Sequence, residues 1–246
     1  VSEESELEGR LALVTGASGG IGAAICRELA AAGAAVAACH GHNRGPAEEL
    51  VRELDAAGAR TRAFGADLAA AEAPARLVAE VEDALGPVDV LVANHGRGRA
   101  AAWEELTPED FDTTIAINLR APFLLAQAVL PGMRERGFGR VLFTSSTAAF
   151  RGGVLAPDYA ASKSALHGLA HFLASRVAAD GVTVNVIAPG FVQTGMMPGD
   201  PAELAPRVPV GRVGRPEEVA QLAVAVLRTG YMTSQVVGID GGMYPR

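Results

Sequence analysis

The sequence predicts an α/β protein built on a doubly wound, mostly parallel sheet. Short β-branched runs alternate with longer helical stretches along the chain, and a glycine-rich turn lies where the first strand gives way to the first helix. Strands of that length separated by helices need crossovers that return along a sheet face, which makes neighbouring strands parallel. In such a sheet, ligands bind beyond the carboxyl ends of the strands.

The elements follow in order. Residues 11–15 read as the first strand and about 20–32 as the first helix; 35–39 and 46–57 repeat the pattern. Further strands are expected at 60–65, 88–93, 139–145 and 182–188, with helices between them, and the last at 236–240. The two longest helices are expected around 108–133 and 157–179. Residues 191–214 are rich in Pro, Gly and Met and have no clear periodicity, as befits a lid or substrate loop. The acidic residues 1–9 read as a flexible, solvated tail, leaving 10–246 as a single domain.

Composition narrows the function. Hydrophobic residues make up 49% and charged residues 20%, with an alanine-rich apolar fraction suited to tight helix packing. No stretch approaches the roughly 20 uncharged apolar residues of a membrane span. The net charge of −7, with both signs interspersed, argues against a nucleic-acid partner. Cys26 and Cys39 form neither a disulfide framework nor a metal-ligand spacing, so no metal is expected and a reducing, cytoplasmic setting is.

Two patterns carry chemistry. In Thr15-Gly16-Ala17-Ser18-Gly19-Gly20-Ile21-Gly22, Gly16 permits a tight turn, Gly20 a close backbone approach to a diphosphate, and Gly22 tight helix–sheet packing. The diphosphate would rest on the helix N-terminus, where free N–H groups favour anions. An ordinary glycine-containing turn is the plain alternative; the strand–turn–helix context weighs against it. Tyr159 and Lys163 stand four residues apart, about one helical turn, so both would project from one face. A lysine held near a phenol favours the phenolate and lowers a pKa that starts near ~10. Ser146 lies thirteen residues upstream of Tyr159, with Ser145 beside it.

Together these motifs resemble the compact branch of the short-chain dehydrogenase/reductase family, over almost the whole chain. The likeness takes in Asp67, Asn118, Asn185, the Ala188-Pro189-Gly190 turn, Thr194 and Asp240-Gly241-Gly242. It implies a Rossmann fold and a catalytic set of Asn118, Ser146, Tyr159 and Lys163; the family interval to Tyr159 selects Ser146 over Ser145. It also implies a dinucleotide site made of Gly16, Ser18, Gly19, Gly20, Ile21, Gly22, Asp67, Leu68, Asn94, Gly96, Tyr159 and Lys163. In that pattern Pro189, Gly190, Val192 and Thr194 hold the nicotinamide end, and Asn118 either holds a relay water or satisfies a helix irregularity. His95 replaces an alanine of the family pattern, and reads either as a cofactor-pocket residue or as a packed histidine.

The second strand ends in His40-Gly41-His42-Asn43-Arg44, without the acid that would accept from an adenosine 2′-hydroxyl. His40, His42, Asn43 and Arg44 are candidate 2′-phosphate partners, so NADPH is favoured over NADH. The resemblance implies a small-molecule ketone substrate of 3-oxoacyl or polyketide type, possibly thioester- or carrier-bound, and a homotetramer or homodimer paired through the two long helices. Arg134 and Arg136 suit a carrier-docking face, which Asp180 opposes. Arg97 and Arg99 are candidates for a substrate carboxylate or phosphate. Ala148, Phe150, Val154, Leu155, Met196 and Met197 would wall an apolar pocket. An alcohol dehydrogenase running in the oxidative direction is the alternative, and a non-catalytic dinucleotide-binding regulator the remoter one.

Overall fold

A computed structural model describes residues 6–197 and 199–244. Seven strands form one parallel sheet in the order β3-β2-β1-β4-β5-β6-β7. They are β1 (Leu11–Thr15), β2 (Ala35–His40), β3 (Thr61–Gly65), β4 (Val90–Ala93), β5 (Gly139–Thr144), β6 (Val182–Pro189) and β7 (Val236–Ile239). Strands β1, β2, β4, β5 and β6 are buried along their whole length, as expected of a sheet covered on both faces. The order reverses between β1 and β4, which opens a crevice at their carboxyl ends.

The helices are α1 (Gly20–Ala31), α2 (Arg44–Ala56), α3 (Ala73–Leu85), α4 (Pro108–Ile115), α5 (Ala121–Glu135), α6 (Ala148–Arg151), α7 (Pro157–Val177), α8 (Pro201–Leu204) and α9 (Pro216–Arg228). Leu13, Leu91, Val141 and Phe143 face one core layer with α3, α5 and α7. Val14, Val92, Leu142 and Ile187 face the other, with α1, α2 and α9. Cys26 and Cys39 are buried free thiols in these layers, pushed up to about 12 by desolvation.

Most strand boundaries fall within two residues of the sequence reading. The long helix expected around 108–133 is interrupted: a π turn, Ala116–Arg120, separates α4 from α5. The run Pro108–Glu135 is long and apolar enough to cross a membrane by length and composition, yet half of its most apolar window is buried inside the fold. Residues 191–214 hold α8 and a 3₁₀ turn, and are pinned at their base by the Val192–Gly214 bridge.

The expectation of a solvated tail fails for residues 6–9. Leu7 is fully buried in the α1/α9 layer, and Gly9 N–H donates to the Gly33 carbonyl. Glu6 pairs with Arg140, a buried guanidinium that also donates to the Leu227 and Gly181 carbonyls. Acidic neighbours hid a single well-placed leucine.

Candidate active site

The glycine turn is shaped by steric necessity. Gly16 has φ +68°, and a Cβ there would lie 2.9 Å from His95 Cα. A Cβ on Gly22 would lie 2.1 Å from the Gly16 carbonyl oxygen and 2.8 Å from Asn94 Nδ2. The turn therefore folds back onto α1 with no room for a side chain. Gly19 caps α1 with no side-chain hydrogen bond, its own N–H donates to the Gly16 carbonyl, and the first turn of α1 carries no acid. Ile21 is half-buried against the α1/α9 layer. Asn94 Nδ2 donates to the Thr15 and Gly16 carbonyls, which ties the end of β4 to this turn. Thr194 packs over Gly20, so the loop after β6 reaches the start of α1. The empty-sided cradle, the uncapped helix and the residues closing over it fit a dinucleotide diphosphate.

Around the cradle the predicted residues divide. His42, Asn43 and Arg44 are exposed at the end of β2, with Arg44 Nε on Glu48 Oε1 at 2.6 Å. His40 does not join them: its ring packs on Gly65 and its Nδ1 bonds the Gly41 carbonyl. Asp67 is exposed after β3, its carboxylate accepting from Ala69 N–H, while Leu68 is buried. Gly190 N–H donates to the Ile239 carbonyl, and Gly190 presses on Asp240 so closely that a Cβ would meet it at 2.9 Å. Val192 is buried beneath. Asn185, another motif residue, fastens the 232–235 loop through Met232 O and Gln235 N.

Tyr159 and Lys163 sit in the first two turns of α7, both buried. Lys163 Nζ lies 5.8 Å from the Tyr159 ring centroid and donates to the Thr144 carbonyl at 2.8 Å. Burial lowers the Lys163 pKa to about 8. The phenol departs from expectation: burial raises the Tyr159 pKa, and only a hydrogen bond with Ser146 pulls the other way. Spacing showed the lysine but not the desolvation, which dominates here. Tyr159 is therefore a protonated phenol at neutral pH. Ser146 is the serine that reaches it. Ser145 is committed elsewhere, between the Lys163 carbonyl and His167 Nε2.

Asn118 is fully buried within the π turn. Its Oδ1 accepts from Arg97 N–H, and its Nδ2 donates to Arg97 O and Ser162 Oγ. These bonds fix the 96–99 loop. A Cβ on Gly96 would lie 3.2 Å from Lys163 Nζ, and one on Gly98 would lie 2.8 Å from the Tyr159 ring. Sequence reading missed Thr144 and Ser162. The first acts on Lys163 through a backbone carbonyl, for which no residue type is a signal.

His95 is a packed histidine. Its Nε2 faces the Ile117 carbonyl at 2.9 Å and its Nδ1 faces Thr15 Oγ1 at 2.6 Å. A carbonyl only accepts, so Nε2 carries the proton and Nδ1 accepts from the hydroxyl. Burial, with Lys163 nearby, lowers its pKa from 6.5 to about 3. Below pH 6.5 the unfolded chain binds a proton that the folded chain does not, so this histidine costs stability as pH falls towards 3. The slope is at most about 1.4 kcal/mol per pH unit. Urea unfolding at pH 7, 6, 5 and 4 should show a steeper loss for the wild type than for His95→Ala. Parallel curves would refute the assignment.

Other placements correct the sequence reading. Arg134 pairs with Asp180 at 2.6 Å and Arg136 with Asp89 at 3.4 Å. Asp89 precedes β4 and Asp180 precedes β6, so both arginines lie at the amino ends of the strands, away from the crevice. Arg97 and Arg99 share Asp110, at 3.3 and 2.7 Å, which leaves a partly exposed cluster of net charge +1. Phe150 stacks on His167, with ring centroids 5.0 Å apart.

Comparisons with known proteins establish the family. The family model for short chain dehydrogenase matches residues 10–204. Acetoacetyl-CoA reductase of Rhizobium meliloti (strain 1021) is 39% identical over 242 residues, covering 96% of this chain and 98% of the relative. A 3-oxoacyl-acyl-carrier-protein reductase of Thermotoga maritima is 35% identical, covering 96% and 98%. A blue fluorescent protein from a metagenomic library, crystallised in complex with NADPH, superposes with a TM-score of 0.92 at 39% identity, covering 97% and 99%. On the family match and on this identity along nearly its whole length, the chain belongs to the short-chain dehydrogenase family.

Proposed function

We propose that this protein is an NADPH-dependent ketoreductase acting on a 3-oxoacyl or polyketide-type ketone, with Tyr159 as its proton donor. The observation that carries this reading is the phenol of Tyr159, kept protonated by burial and hydrogen-bonded to Ser146 at the carboxyl edge of the sheet. When bound, NADPH supplies the hydride that adds to the carbonyl carbon. Tyr159 gives its proton to the carbonyl oxygen, so the ketone becomes a secondary alcohol. Ser146 donates a hydrogen bond to the same oxygen and stabilises the charge that develops there. Lys163 binds the nicotinamide ribose and favours return of the proton, while Asn118 holds the loop that covers the tyrosine ring.

The cradle residues hold the diphosphate, and the acid-free end of β2, with His42, Asn43 and Arg44 exposed, suits a 2′-phosphate. NADP-bound relatives support this choice. Among substrates, a small thioester is favoured over one on an acidic carrier protein, because Asp180 and Asp89 already neutralise Arg134 and Arg136. Residues 191–214 serve as the substrate loop. Phe123 on α5 and Phe172 on α7 are exposed and suit pairing between copies through those helices.

Cofactor oxidation followed at 340 nm tests the reading, with NADPH and NADH each offered acetoacetyl-CoA, an aromatic polyketide mimic and a simple cyclic ketone. Turnover of acetoacetyl-CoA with NADPH is expected. A preference for NADH, or no turnover of any ketone, would defeat the proposal.

A further inference from the structure

Arg97 and Arg99 lie in the loop after β4, one on each side of Gly98. That glycine lies against Tyr159: a Cβ on it would sit 2.8 Å from the tyrosine ring and 2.8 Å from Leu155. Both arginines are fixed at the backbone. The Asn118 side chain accepts from the Arg97 N–H and donates to the Arg97 carbonyl. The Ala156 N–H, just before α7, donates to the Arg99 carbonyl. Consecutive Cα atoms are about 3.8 Å apart, so each arginine branches from the loop one residue from its contact with the phenol ring.

The two guanidinium groups share one carboxylate. Arg97 Nη2 meets Asp110 Oδ1 at 3.3 Å and Arg99 Nη2 meets Asp110 Oδ2 at 2.7 Å, while Thr107 Oγ1 donates to Oδ2 at 3.0 Å. Two cations on one anion leave a charge of +1. Glu104, Glu105 and Glu109 in the same stretch are exposed to water, which screens them, and among the described residues neither arginine forms an ion pair with them. The side chains of Arg97 and Arg99 are 39% and 41% exposed. Each reaches Asp110 through a single terminal nitrogen, which leaves donors of its fork for a further acceptor. A pair serving only to brace the loop would need one arginine, not two.

We infer that Arg97 and Arg99 form an oxyanion-recognition site at the entrance to the crevice, which selects substrates bearing a phosphate or carboxylate beyond the reacting ketone. This rests on the ketoreductase reading above and names a class of substrate for it. Guanidinium forks match both oxyanions in shape and charge. The anion has two sources: a phosphate on the arm of a thioester, or the carboxylate of a free 3-oxo acid. Asp110 orients the two forks and competes with the incoming anion for them.

Two substrate pairs carry the same ketone with and without the anion. One is acetoacetyl-CoA against the neutral N-acetylcysteamine thioester, the other acetoacetate against methyl acetoacetate. The readout for each pair is kcat/KM of the charged member divided by that of the neutral one, with NADPH saturating and ionic strength fixed. In an Arg97→Gln/Arg99→Gln double variant this ratio should fall about tenfold. A fall in the thioester pair identifies a phosphate as the anion, and a fall in the acid pair a carboxylate. Asp110→Asn keeps an oxygen for Thr107 but removes the competing charge, so it should raise the same ratio about threefold. Loss of a purely structural ion pair would slow charged and neutral substrates alike in both variants. The inference is overturned by a ratio unchanged in both pairs, or by one that Asp110→Asn lowers. Asp110→Asn decides alone where the double variant does not fold. Wild-type protein that reduces none of the four ketones would defeat the ketoreductase reading, and this inference with it.

Discussion

Tyr159→Phe protein should reduce ketones about 10³-fold more slowly than the wild type while binding NADPH as tightly. The substitution removes one oxygen from a ring held by Gly98 and by the first turns of α7, so the packing survives. What disappears is the hydroxyl proposed as proton donor, and with it the partner of Ser146. Because the ring is kept, NADPH affinity and the melting midpoint should stay close to wild type. Single-turnover mixing of enzyme, NADPH and excess ketone separates the chemical step from product release. A rate within threefold of wild type would remove Tyr159 from the reaction, whatever else the site does.

The second large effect is expected at Gly22. A methyl group there would sit 2.1 Å from the Gly16 carbonyl oxygen and 2.8 Å from Asn94 Nδ2, both parts of the cradle itself. Neither is the loose end of a long side chain, so α1 must shift away from the turn. Overpacking of this kind costs about 1–3 kcal/mol of stability. The helix N-terminus then no longer faces the diphosphate, and NADPH affinity should fall by about 100-fold, equivalent to two steps of 1.4 kcal/mol. Gly168 on α7 supplies the control, since its added methyl meets nothing within 4 Å. Gly168→Ala should bind NADPH normally. Equal affinities for all three proteins in a fluorescence titration would show that the turn does not hold the cofactor.

Much of the architecture could be read from residue order because parallel strands buried on both faces leave continuous apolar runs. Residues 11–14 are such a run, with Gly16 just beyond the strand, whereas Val182–Pro189 carries Thr183 and Asn185 within it and is buried all the same. The site was legible where chemistry depends on spacing along one helix, as with Tyr159 and Lys163. It was less so where chemistry depends on surroundings. The raised pKa of Tyr159 arises from desolvation, which only the closed fold imposes. Arg134 and Arg136 looked free because Asp180 and Asp89 are far from them in the chain. His40 looked like an equal of His42 and Arg44 until the pleat turned it onto Gly65. Leu7 carried no periodic neighbours to reveal its burial.

The π turn at Ala116–Arg120 constrains how this chain can tolerate insertions and deletions. One surplus residue there widens a single turn, and the amide of Asn118 bonds Arg97 and Ser162 from within it. Deleting any one residue of the segment would restore regular i to i+4 bonding and leave α5 equally helical. The faces of α4 and α5 would keep their phase, because the surplus residue is absorbed within the widened turn, but the bulge from which Asn118 reaches Arg97 and Ser162 would be gone. Secondary-structure content would be unchanged, yet the loop over Tyr159 would lose its tether. The length of this stretch, more than its composition, is what selection has to guard.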